Sequence, residues 1–238
     1  MQAPELHLNS NLRDVEAKKP LASRIAFLFI LRCDSLQPKE SEEIMNPLFG
    51  KAAFIVSLIS MMLIRAPHGK RSGQVKIRES RKGPLEIAFL ALMGIATLVL
   101  PVISIVSSLL SFADYGLHVL SFLLGIVCAA MGLWLFYRSH ADLGTNWSIS
   151  LDIRQEHQLV TGGVYERIRH PMYLSMFLLA LAQAFLLSNW IAGPLYLLAF
   201  LLMFPLRLGP EERMMLETFG DEYDAYVKRT KRLIPYVW

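Results

Sequence analysis

The chain has 238 residues and a formal net charge of +4, with 54% hydrophobic and only 18% charged residues. A soluble domain of this length rarely combines so high an apolar share with so few charges, and here the apolar residues come in long blocks, so membrane helices are predicted rather than one large core. The basic excess lies in loops beside those blocks, which assigns it to membrane orientation and argues against nucleic acid.

Residues 1–44 are weakly patterned. Ile25–Leu31 is apolar but too short to cross a bilayer, no small-residue cleavage pattern follows it, and Gln37–Glu43 is a polar linker. This segment is expected to be poorly ordered or loosely attached. Cys33 and Cys128 lie far apart in sequence, so neither a disulfide framework nor a metal cluster is expected.

Five spans are predicted beyond it. The first covers about Pro47 to Ile64 and the second about Leu85 to Leu110, kinked at Pro101. The third covers about Leu117 to Tyr137 and ends in the interfacial aromatics Trp134, Phe136 and Tyr137. The fourth covers about Pro171 to Leu187, with Pro171 in the first turn, where its missing N–H costs nothing. The fifth covers about Trp190 to Leu208, leaving only Ser188 and Asn189 for a tight antiparallel hairpin. The tail should form two helices, one starting at Pro210 and one over Asp221–Lys231, separated by Gly220.

Charge sets the expected orientation. The loop Arg65–Lys82 carries Arg65, Lys70, Arg71, Lys76, Arg78, Arg81 and Lys82 against Glu79 alone, whereas Ser111–Gly116 carries only Asp114. The segments Arg138–His170 and Arg207 onward are basic again. Five spans with the N-terminus outside put all the basic segments, and the C-terminus, in the cytosol. The fold class expected is therefore all-α integral membrane, with about five transmembrane helices and a C-terminal cytosolic helical segment. Residues 45–140 would hold the first three spans and their basic loop, and residues 141–238 the functional region.

Two polar clusters flank the last hairpin, His157–Tyr173 before it and Arg207–Arg213 after it. Antiparallel arms of nearly equal length should bring them face to face. Such a site offers Arg and His for anions, carboxylates for an ammonium or hydroxyl, and aromatic faces for a flat ring or a cation. No glycine-rich nucleotide turn follows a strand. His68 and His118 have no partners at ligand spacing and read as structural, and Asn146–Ser148 matches a glycosylation sequon on the wrong side of the membrane.

Taken in order, His157-Gln-Leu-Val160, Gly163-Val-Tyr165, Arg169-His-Pro-Met-Tyr173, Arg207, Glu211-Glu212 and Phe219-Gly220 resemble the isoprenylcysteine carboxyl methyltransferases. The likeness runs from about Leu143 to Pro235, and phospholipid N-methyltransferases share much of its C-terminal part. The resemblance implies an integral-membrane enzyme that uses S-adenosylmethionine without a Rossmann domain. It implies that His157, Gln158, Leu159 and Val160 line the cofactor pocket, that Tyr165, His170, Pro171, Met172 and Tyr173 complete it, and that Glu211 binds the cofactor's polar end. Arg207 would face the substrate as the catalytic and substrate-binding residue. No metal is implied; the partners are a lipophilic or prenylated acceptor and membrane lipids.

A carboxylate acceptor is ionised at neutral pH and needs a cation to orient it, which Arg207 provides; an amine acceptor would arrive protonated and need a base. The rival readings are a phospholipid N-methyltransferase, a sterol-type reductase and a non-catalytic membrane protein.

Overall fold

A computed structural model describes residues 44–72, 74, 77–80, 83–144, 152–154 and 158–234. The chain divides into Met1–Glu42 and Glu43–Trp238, and the described residues belong to the second unit. The expectation for residues 1–44 therefore falls, Ile44 apart, outside the described residues, as do His157 and the Asn146 sequon.

The described architecture is all-α and integral to the membrane. It comprises α1 (Pro47–Ser72), α2 (Pro84–Gly94), α3 (Leu100–Val106), α4 (Val119–Leu143), α5 (Pro171–Leu186), α6 (Leu195–Phe219) and α7 (Asp221–Arg229). Three helical stretches, Pro47–Arg71, Glu86–Val106 and Val119–Leu143, are long and apolar enough to cross a membrane, and Pro171–Leu186 is a shorter apolar helix. Val56, Leu63, Leu120, Trp134 and Leu198 are each more than half exposed on the outer faces. Water would penalise so much bare apolar surface and lipid does not.

Helices α2 and α3 are one rod with a π turn at Ile95–Val99. The turn stands just before Pro101. In the wider register the Leu100 N–H reaches the Ile95 carbonyl, so the Ala96 carbonyl would wait for an N–H that Pro101 lacks. Gln183 of α5 supplies the missing donor, with Nε2 2.9 Å from the Ala96 oxygen. The kink expected at Pro101 is thus a π turn ahead of it, tied to the neighbouring helix.

α4 and α5 pack along most of their length. Gly125 allows this, because a Cβ there would lie 2.7 Å from Leu186 Cγ. Small residues at such crossings let helix backbones approach closely enough to gain dispersion contacts where lipid offers no hydrophobic drive. A buried cluster including Met93, Phe136, Tyr173, Tyr196, Phe200 and Phe204 fills the space between α2, α4, α5 and α6.

Several expectations are corrected. α1 runs on past Ile64 and through Pro67 to Ser72, and α4 runs past Tyr137 to Leu143. The second span stops at Val106 rather than Leu110. α6 begins at Leu195 rather than Trp190, because Leu187–Pro194 forms a hydrogen-bonded connection longer than a two-residue turn. Pro210 does not start a helix; α6 passes through both Pro205 and Pro210. A membrane-anchored helix tolerates the lost backbone bonds when neighbouring helices hold both sides of the break, as Glu86 does through Arg207 before Pro210 and Tyr173 through Glu211 after it. The last helix stops at Arg229, two residues short of Lys231.

Two short antiparallel pairings escaped the sequence reading. β1 (Ile44–Met45) pairs with β3 (Leu117–His118), and β2 (Ile77–Ser80) pairs with β4 (Asp152–Arg154). The second joins the two basic loops at the end of the bundle that carries the polar clusters.

Candidate active site

The two polar clusters meet. α5 begins at Pro171, one residue after His170, and α6 carries Arg207, Glu211 and Glu212 back to the same end. The Tyr173 hydroxyl donates to Glu211 Oε2 at 2.5 Å. His170 Nδ1 lies 3.8 Å from Glu211 Oε1, and its Nε2 lies 3.4 Å from Glu212 Oε1. Arg207 sits one helical turn before Glu211, with Nε 4.0 Å from Glu211 Oε2, and its Nη2 lies 3.5 Å from Glu86 Oε1 of α2.

The adjacent carboxylates point to different partners. Glu212 accepts from Arg169 Nε at 3.1 Å and from Arg232 Nη2 at 2.9 Å. Burial pushes the Glu212 carboxyl up, but hydrogen bonds from His170 and Arg232, with the positive field of His170 and Arg169, overcome this and hold it at about 2. Arg169 Nη1 also donates to the carbonyls of Val227 and Thr230, at 3.2 and 2.6 Å, capping the end of α7. The backbone follows: Arg169 N–H donates to Lys231 O, and His170 N–H to Arg232 O. The C-terminal segment is thereby strapped to the residues that open α5.

The loop ahead of α5 is set by Gly163. Its φ of +62° suits glycine, and a Cβ there would collide with the Asp142 carboxylate. That carboxylate accepts from Val164 N–H at 2.9 Å, which turns Tyr165 inward. Tyr165 is 6% exposed. Burial first, then Glu211, Tyr226 and Asp142, push its phenol far above the ordinary range, against a lowering hydrogen bond to Ser139, so it remains a neutral hydroxyl. Tyr226 of α7 donates to the Tyr165 carbonyl at 2.6 Å.

These groups surround a cavity of about 460 Å³. Gln158, Leu159, Val160, Tyr165, His170, Met172, Tyr173, Arg207 and Glu211 all line it. Pro171 does not; it is buried in the first turn of α5, where it sets the start of the helix. His157 lies outside the described residues. Sequence reasoning missed Arg65 and His140, which reach the cavity from α1 and α4, and Tyr223 and Tyr226, which close it from α7. The tyrosines shared one face of an amphipathic helix, a pattern that marks a docking face without naming what it docks on. Away from the polar end the walls are Leu58, Met61, Leu90, Met93 and Leu98, from α1 and the α2–α3 rod. The cavity thus runs from charged groups at the bundle end into the apolar interior. Among the described residues no group of three or more His, Cys, Asp or Glu side chains could hold a metal ion.

Fold and site together define a membrane-embedded α-helical protein with a half-polar, half-lipophilic cavity at one face. A family model described as the isoprenylcysteine carboxyl methyltransferase (ICMT) family matches residues 121–217. The chain is similar to the protein-S-isoprenylcysteine O-methyltransferase of Schizosaccharomyces pombe, 32% identical over 116 residues that cover 48% of each chain. It is similar to the protein of the same name from Homo sapiens, 30% identical over 115 residues covering 48% of this chain and 40% of the relative. A solved structure described as the eukaryotic intramembrane Ras methyltransferase ICMT aligns with a TM-score of 0.42 at 25% identity, covering 63% of this chain and 50% of that one. The chain spans about half the length or less of the curated relatives it matches. Residues 121–217 match the isoprenylcysteine carboxyl methyltransferase family model, the family that the motif series resembles.

Proposed function

We propose that this protein transfers a methyl group from S-adenosylmethionine to the carboxylate of a lipophilic, isoprenylcysteine-like acceptor at the boundary between membrane and cytosol. The observation that carries this reading is the convergence of Tyr173, Glu211 and Arg207 on a cavity whose far walls are apolar. The family region supports it independently.

The residues present fit such a cofactor. Glu211, held by Tyr173, offers a carboxylate to an ammonium or to ribose hydroxyls, and Gln158 offers an amide for hydrogen bonding. Tyr165, His170 and Tyr173 offer flat faces to a purine, and Met172 and Met214 offer soft surface beside a sulfonium. When bound, S-adenosylmethionine supplies an electrophilic methyl on a positively charged sulfur. The chain's own task is to align the acceptor and exclude water, and a carboxylate nucleophile requires no proton removed first. Arg207 orients that carboxylate, while Leu58, Met61, Leu90 and Met93 receive the acceptor's hydrocarbon.

In this reading the chain crosses the membrane five times, with its N-terminus outside and its basic segments in the cytosol. Residues 45–140 supply supporting spans and residues 141–238 the methyltransferase region. A second reading, methylation of a phospholipid amine, draws on Glu211, a carboxylate on the cavity wall beside Arg207 that favours a cation.

The experiment is calorimetric binding of S-adenosylhomocysteine to the purified protein, followed by turnover with a prenylcysteine and phosphatidylethanolamine side by side. Glu211→Ala should weaken binding about thirtyfold, the scale of a lost charge-assisted hydrogen bond. Absence of binding by the unaltered protein overturns the function, and methylation of the amine alone replaces it with the second reading.

A further inference from the structure

We infer that Glu86 is the positioning residue of this site: it holds the Arg207 guanidinium away from Glu211 and aimed at the acceptor's anionic group. The inference rests on the methyl-transfer reading proposed above. Glu86 lies on α2, outside residues 121–217 that match the family, so nothing in that match assigns it a role.

The geometry has three parts. Glu86 is only 9% exposed, although it stands in the first turn of its helix, two residues after Pro84. First-turn acids ordinarily face water and interact with the helix dipole; this one is turned inward toward α6. Its Oε1 lies 3.5 Å from Arg207 Nη2, and both side chains are largely buried. Glu86 does not line the cavity, whereas Arg207 does, so Glu86 acts from behind.

The second carboxylate near Arg207 makes Glu86 consequential. Glu211 follows Arg207 by one turn on the same helix, a spacing at which opposite charges can pair, less favourably with the base first. Yet the Arg207–Glu211 separation is 4.0 Å, longer than the contact to Glu86, and Glu211 instead takes the Tyr173 hydroxyl at 2.5 Å. An arginine on a flexible stem, in surroundings poor in water, moves toward the nearest remaining carboxylate. With Glu86 neutral, that carboxylate is Glu211. The guanidinium would then close on Glu211, compete with Tyr173 and withdraw from the acceptor. Glu86 thus keeps two binding tasks separate on one face of α6: Glu211 for the cofactor and Arg207 for the acceptor.

The test uses the full chain in detergent or nanodiscs with Glu86→Gln, which keeps shape and an acceptor oxygen but loses the charge. Three quantities are read: calorimetric affinity for S-adenosylhomocysteine, and KM and kcat with an N-acetylated prenylcysteine bearing a free carboxylate. The acceptor KM should rise about tenfold with kcat changed much less, and Glu86→Asp should restore part of the loss. In an Arg207→Gln background the Glu86→Gln change should add nothing further to KM. An unchanged KM in Glu86→Gln, or an effect that persists in full without Arg207, overturns the inference. So does a fall in kcat and in melting temperature without a rise in KM, which would make Glu86 an interhelical tie alone. Failure of the parent reading is distinct: the unaltered protein would then bind no S-adenosylhomocysteine or leave the prenylcysteine unmethylated.

Discussion

The α5–α6 hairpin is closed at both ends by polar side chains, in opposite ways. At the end away from the cavity, Asn189 is 3% exposed and uses its whole amide. Its Nδ2 donates to Leu110 O at 2.8 Å and Asp114 Oδ1 at 2.7 Å, and its Oδ1 accepts from the N–H groups of Ile191 and Ala192. Tyr115 N–H to Ser188 O and Trp190 N–H to Ala113 O complete that knot. At the other end, Arg169, His170, Arg207 and Glu211 border the cavity, with Glu212 and Arg232 clasped behind them. A saturated neutral amide leaves nothing for a ligand and fixes where two helices begin. Charges beside a cavity retain capacity for new partners. One end holds the geometry, and the proposed chemistry uses the other.

The largest expected effect breaks the quiet end. Asn189→Ala strands the N–H groups of Ile191 and Ala192 and removes the donor to Leu110 O, the first in a part-buried and the other two in a buried setting. At about 1–3 kcal/mol for each stranded group, the loss should reach at least about 3 kcal/mol. A thermal melt in detergent measures it. Because Tyr173 and Glu211 ride on the two arms of this hairpin, the folded fraction should also bind S-adenosylhomocysteine more weakly. A near-unchanged melt would show that the hairpin is held from the cavity end instead.

Next in size is the clasp at the charged end. Glu212→Gln replaces charge-assisted hydrogen bonds to Arg169 and Arg232 by neutral ones and should cost about 2 kcal/mol at neutral pH. Its pH dependence has a definite sign. The folded carboxyl stands at about 2 against an ordinary 4.5, so its stabilisation is fully present above 4.5 and lost as pH falls through 2. The melting difference between parent and variant should therefore persist from neutral pH to about 4.5 and shrink toward zero near 2. A difference that grows on acidification would mean that another group governs the clasp.

How much of this was legible in sequence divides along the same line. The span opened by Pro171 was predicted to end at Leu187 and ends at Leu186, because a continuous apolar run behind a first-turn proline is a local signal. The helix over Asp221–Arg229, with acids first and bases last, was equally local. What failed needed partners far along the chain. Pro210 carries a strong local stop signal, yet α6 continues because Glu211 is held by Tyr173, 38 residues earlier. β2 and β4 are too short for periodicity to show and are joined only by tertiary pairing. Glu86 and Gln183 carried no sequence signal; only the packed helices show one against Arg207 and the other against the π turn. The candidate site residues were legible as ones that would gather, and apart from Pro171 those among the described residues border one cavity, while Glu86, Arg65 and the α7 tyrosines beside them were not singled out for the site.

The smallest effect asks whether α7 belongs with the rigid end or the responsive one. Tyr226 is 3% exposed and donates to the Tyr165 carbonyl at 2.6 Å, with both rings on the cavity wall. Burial pushes its phenol up to about 12, against the pull of Arg169 and Arg229, so the hydroxyl donates throughout the working pH range. Tyr226→Phe keeps the ring and its packing and removes only that donor, for about 1 kcal/mol. The backbone straps at Arg169 and His170 remain, so the melting temperature should move little. Amide exchange should rise in α7 and around Tyr165 and stay unchanged at Ile191 and Ala192. If α7 is a hinged wall of the site, bound S-adenosylhomocysteine should reverse much of that exchange, because a ligand packed against Tyr165 and Tyr223 supplies contacts that the lost hydroxyl no longer does. If α7 is part of the rigid frame, exchange will rise at both ends of the hairpin together, and the separation between a geometric end and a binding end fails.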